Sequence, residues 1–121
     1  METADVKTDL GTVRISDSVI AYLVRKAVLQ DKGVAGMDDR YSHAISSVIN
    51  EKNEGVHVDI RENRIIIDLF INVRYGERIP AVALRLQELV KENVSNSTGL
   101  LVSAVNISVE GIIFDEAVKN E

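Results

Sequence analysis

Cysteine is missing from this chain of 121 residues, which excludes disulfides, thiolate nucleophiles and cysteine-bearing zinc sites together. Such a composition suits a reducing cytoplasm. An excess of positive charge is missing too: 14 Lys and Arg stand against 19 Asp and Glu, a formal net charge of −5. No global positive field draws in phosphate backbones, so nucleic-acid binding would require a local patch. No apolar run approaches the roughly 20 residues needed to cross a bilayer, so any membrane location is expected to be borrowed from a partner. The acidic start, Met1-Glu2-Thr3-Ala4-Asp5, lacks the basic and apolar regions of a secretion signal, and no export is expected. Proline occurs once, at Pro80, where it fits the first turn of a helix because amides there have no intrahelical acceptor.

What is present are the proportions of an ordinary globular domain, 45% hydrophobic and 27% charged residues. The length suits one domain over 1–121, with a core of about 11–114 and short polar tails at both ends. Thr12 to Ile15 reads as a short extended segment. Ser16 then stands where a helix N-cap belongs, with Asp17 in the first turn. Ile20, Leu23, Val24, Ala27 and Val28 follow helical spacing, and Gly33 is expected to close that pattern as a C′ residue before a brief strand from Val34 to Met37. Asp38 to Asn53 carries a diluted helical pattern in Ile45, Val48 and Ile49, expected as a short helix.

From Val56 the period switches to two. Val56, Val58 and Ile60 share one face, Glu62-Asn63 makes a tight turn, and Ile65, Ile67, Leu69, Ile71 and Val73 share one face of a longer strand ending near Tyr75. A second helix is expected from about Ile79 to Ser97, with Val82, Leu86, Val90 and Val94 in its apolar stripe and Gly99 as a left-handed C-cap. The last strand alternates Leu101, Ser103, Val105, Ile107 and Val109 against Val102, Ala104, Asn106, Ser108 and Glu110, with a bulge near Gly111. Two helices with one apolar face each, beside strands that alternate, predict a two-layer α+β fold. Its mixed or antiparallel sheet carries both main helices on one face.

The order of five joints carries a family likeness: Gly11-Thr12-Val13-Arg14-Ile15-Ser16, Gly33-Val34-Ala35-Gly36-Met37, Val73-Arg74-Tyr75-Gly76, Thr98-Gly99-Leu100 and Val105 through Gly111. Each alone is weak, but in sequence they resemble the alkaline shock protein family, which includes the Gls-type general stress proteins of Gram-positive bacteria. The resemblance spans about Gly11 to Phe114. It implies a cytoplasmic protein tied to cell-envelope homeostasis and to alkaline or general stress. It also implies action through protein contacts, in some members with a separate membrane anchor protein and in some as higher assemblies. It supplies no catalytic residues.

The residues themselves point the same way. Asp39 and His43 have the spacing of a two-point metal grip, but two ligands do not make a site, and no metal or cofactor is expected. His57, Asp59 and Asp68 share the outer face of the hairpin, where solvation is expected rather than acid–base chemistry. Gly33-Val34-Ala35-Gly36 matches the Gly-x-x-Gly loop of KH-type RNA-binding modules, without the Lys or Arg that would meet a phosphate. Ile66 and Phe70 are the exception, because they are large apolar groups at solvent-facing parity on the long strand. With Arg74 and Tyr75, and with Val102 and Ala104 alongside, they form the candidate surface for self-association or a protein partner. The reading is a non-enzymatic interaction module. Two other classes compete with it: a regulatory binder of a metabolic enzyme, of lipid synthesis for example, and a KH-like RNA binder.

Overall fold

The structure, a computed structural model, describes residues 2–38 and 55–114. The expected short helix within Asp38 to Asn53, and the Asp39–His43 pair, fall outside the described residues apart from Asp38 itself.

Eight elements follow in order: β1 (Thr3–Thr8), β2 (Gly11–Ser16), α1 (Asp17–Val28), β3 (Val34–Met37), β4 (Val56–Arg61), β5 (Arg64–Arg74), α2 (Ile79–Thr98) and β6 (Leu101–Ile113). β1 and β2 form an antiparallel hairpin, and the other four strands form a mixed sheet around β5. β6 runs parallel to β5 along one side. On the other side β3 pairs antiparallel with the C-terminal part of β5, and β4 with its N-terminal part. β3 and β4 therefore occupy one lane, broken at Phe70. The Phe70 carbonyl accepts from the Asp38 amide at 2.8 Å, and its own amide donates to the Gly55 carbonyl at 2.9 Å.

The turn between β4 and β5 forms because Glu62 and Asn63 both take positive φ, 51° and 64°, which matches the twist of a two-residue hairpin. The crossover from β5 to β6 through α2 follows from parallel pairing, which a short turn cannot supply. Arg78 precedes α2, Pro80 lies in its first turn, and Gly99 ends it with φ 78° and an amide bonded to the Ser95 carbonyl.

The two helices cover one face of the sheet. Ile20, Val24 and Val28 of α1, Val82, Leu86, Val90 and Val94 of α2, and Ile65, Ile67, Leu69, Ile71 and Val73 of β5 are buried together. This is the expected α+β two-layer fold with a mixed sheet.

Three local readings change. Thr3–Thr8, expected as a polar tail, is a strand whose Ala4 is fully buried. It is held by Asp5 and Asn63, whose backbone and side-chain groups bond reciprocally, and by Glu2 Oε1, which accepts from the Ile60 amide at 3.0 Å. Gly33 is not the cap of α1, because the helix closes at Val28 with Leu29 as C-cap. Gly33 is there for space: a Cβ would lie 2.8 Å from Val82 Cγ2. β6 has one irregularity between Val102 and Ala104 and another between Val109 and Gly111. The second matches the expected bulge. The first shifts parity, so Val102 pairs with Ile65 and is buried in the core rather than lying on the outer face with Ala104.

One contact ties α2 to the turn after α1, and no sequence pattern marks it. Arg85 of α2 grips the Asp31 carboxylate with two nitrogens, at 2.7 and 3.1 Å, and the Gly33 amide adds a third bond at 2.8 Å. The Arg85 guanidinium holds the Asp31 carboxyl below its ordinary range, against the opposing effect of burial.

Candidate functional site

The sheet face turned away from the helices is built from the even positions of β5 and their partners. Asp59, Ile66 and Ala104 form one row, and His57, Asp68 and Asn106 the next. Phe70 and Ser108 come next, followed by Gly36, Asn72 and Gly111. Within the second row Asn106 Nδ2 donates to Asp68 Oδ1 at 2.9 Å, and at the first row Arg61 Nε donates to Asp59 Oδ2 at 3.0 Å. These are pairs on a polar, partly exposed face. Among the described residues, no three His, Asp or Glu side chains gather to hold a metal ion.

The structure divides the four candidate residues into two groups. Ile66 and Phe70 lie on the open face but are half-buried, flanked by polar rows. Val102, which was expected to widen their patch, is absent from this face. Arg74 and Tyr75 lie at the far end of β5 and are exposed. Arg74 Nη1 reaches the Val34 carbonyl at 3.4 Å.

Tyr75 is 65% exposed although its backbone is held, its amide donating to the Ile113 carbonyl at 2.9 Å. Its ring stacks on Phe114 with centroids 4.3 Å apart and planes 26° apart. Ile112, Ile113 and Phe114 are each about half exposed beside it. Aromatic stacking of this kind fixes two rings against each other while leaving outer faces for contact. An apolar end therefore caps the β5–β6 pair. The sequence reading found Tyr75 but missed its three neighbours. The signal was the break in alternation after Gly111, where Ile112-Ile113-Phe114 runs solidly apolar.

The Gly33-Val34-Ala35-Gly36 segment serves the sheet. Gly33 and Val34 are buried, Val34 pairs with Val73, and the Gly33 carbonyl accepts from the Arg74 amide at 3.0 Å. No helix among the described residues is long and apolar enough to cross a membrane.

Fold and surface together define a small α+β domain with a polar sheet face and an apolar sheet end. The chain belongs to the alkaline shock protein 23 family, of cell envelope-related function, whose model matches residues 5–114. It is 34% identical over 110 residues to the uncharacterized protein YqhY of Bacillus subtilis (strain 168), covering 89% of this chain and 82% of that one. To the uncharacterized protein YloU of the same organism it is 33% identical over 112 residues, covering 89% and 93%. To the uncharacterized protein Spy1614 of Streptococcus pyogenes serotype M6 it is 31% identical over 114 residues, covering 91% and 94%. Among solved structures, MamM-CTD aligns over 78% of this chain and 96% of that one, at a TM-score of 0.48 and 16% identity.

Proposed function

We propose that this protein is a non-catalytic interaction module that serves the cell envelope by docking a protein partner, and that the docking surface is the apolar end of the β5–β6 pair. The observation that carries the reading is the stacked, exposed Tyr75–Phe114 pair, continuous with Ile112 and Ile113. Large aromatic groups held in place on the surface lose little conformational freedom on binding, which is why they anchor protein interfaces. Arg74 beside them supplies a charge for orientation. The family's cell envelope-related function supports the setting. A membrane anchor protein is one partner of this kind, with the chain held in the cytoplasm at the inner face of the membrane.

The test is in-cell crosslinking with mass spectrometry on three chains: unsubstituted, Tyr75→Asp and Phe70→Asp. The Tyr75 variant is expected to lose the captured envelope proteins while keeping its circular dichroism spectrum, and the Phe70 variant to retain most of them. Unchanged capture by folded Tyr75→Asp refutes docking at the sheet end. Loss in the Phe70 variant alone moves the surface to the open face.

A further inference from the structure

α1 is apolar on two sides. Ile20, Val24 and Val28 lie in the core, while Val19, Tyr22 and Leu29 are exposed, the first two by about half. With Lys26, these exposed positions follow one another at steps of three, four and three residues. At about 100° per residue they fall in a single stripe roughly 80° wide, opposite the buried one. α2 shows what an ordinary solvent face looks like in the same layer: Arg85, Glu88, Lys91 and Glu92 are exposed along it, interrupted by Leu84. A helix that is apolar on opposite sides ordinarily lies between two layers.

The stripe is also basic. The Lys26 ammonium lies 5.8 Å from the centre of the Tyr22 ring, over its face. Arg25 flanks it, and its buried Nε finds no acceptor among the described residues. Asp31, just past the helix, is already engaged by Arg85. Among the described residues neither Arg25 nor Lys26 meets a carboxylate, so two adjacent cations lack a counter-ion on a chain of net charge −5.

We infer that the outer stripe of α1 docks an acidic amphipathic helix of a partner protein, whose apolar residues cover Val19, Tyr22 and Leu29 and whose carboxylates meet Arg25 and Lys26. The spacing selects a helix, because steps of three and four residues make the seam along which two helices pack. Tyr22 is the central anchor, and Lys26 is the polar position that sets register. Charge selects the sign, since carboxylates are the counter-ions the stripe lacks. A membrane surface fits less well. Anionic headgroups would face the charge of the whole acidic molecule rather than of one helix, and three apolar groups in a line are narrow for a plane. From Val19 to Leu29 the contact is about 15 Å long, which suits a reversible interface rather than a permanent one. It lies on the helix layer and takes a partner of defined shape and charge, and so goes beyond docking at the sheet end.

The test is photo-crosslinking in cells from benzoylphenylalanine placed at position 19 of the full chain. Position 88, on the charged face of α2, is the comparison, and the adducted peptides are sequenced. Position 19 is expected to give adducts about tenfold or more above position 88, on segments that carry Asp or Glu among apolar residues at helical spacing. Arg25→Glu/Lys26→Glu and, separately, Tyr22→Ser are each expected to cut these adducts about tenfold while keeping the parent's circular dichroism spectrum. Adducts no stronger than at position 88 overturn the proposal. So do adducts to lipid, to a second copy of this chain or to basic segments, and adducts that survive either folded variant. Failure here leaves capture through Tyr75 standing, since that is read on a different surface with a different variant.

Discussion

Gly33 shows how much depends on the absence of one carbon atom. It lets the turn after α1 lie directly against Val82, where a Cβ would come within 2.8 Å of a methyl group and 3.1 Å of the Arg85 guanidinium. Gly33→Ala is therefore expected to lower the melting temperature by several degrees, corresponding to about 1–3 kcal/mol of overpacking. A melting curve unchanged within error would show that α2 yields freely. Asp31, two residues earlier, contributes to the acid limb of stability. Its folded pKa is depressed by Arg85, so the unfolded chain binds its proton more readily than the folded chain. The stabilisation is full above the ordinary Asp value of about 3.9 and is lost as pH falls through the lower folded value. Urea midpoints measured between neutrality and strong acid should fall less steeply below pH 4 in Asp31→Asn than in the parent. Neither role was legible in the sequence, because Arg85 reads as an ordinary charge off the apolar stripe and Gly33 as an ordinary helix stop.

At the scale of elements, α1 and α2 were legible because their apolar residues recur at helical spacing, and the β4–β5 hairpin because its alternation is strict on both sides of a two-residue turn. The buried stripe of α2 gives the direct check: Leu86, fully buried, is expected to cost about 2–5 kcal/mol when cut to Ala. A chemical denaturation curve reads this directly, and a cost under 1 kcal/mol would put the helix in a different register. β1 was not legible. Its Thr3, Asp5 and Lys7 alternate with small or modest apolar groups, and its pairing depends on Glu2 and Asn63 reaching across from distant positions. The parity of β6 was not legible either, because an extra residue at Ser103 leaves no trace in local composition, yet it sends Val102 into the core.

For the whole molecule, the order of joints along the chain pointed to a family that the match over residues 5–114 now establishes. The position of the exposed apolar end was not available in the same way. It depends on where the helix layer ends relative to β5 and β6, and this is a property of packing. The acidic balance, the polar open face and the apolar end together describe an uneven surface: one side polar, one covered by helices, one end apolar.

The broken lane beside β5 has a further consequence. Asp38 and Gly55 are both bonded to the backbone of Phe70, so the chain leaves the sheet and rejoins it at one point. For a segment whose ends are held together, the entropy of closure grows only with the logarithm of its length, about 0.6 kcal/mol for each doubling. Doubling the number of residues between Asp38 and Gly55 is therefore expected to lower the stability of the strands on either side by only about 0.6 kcal/mol, read from urea midpoints.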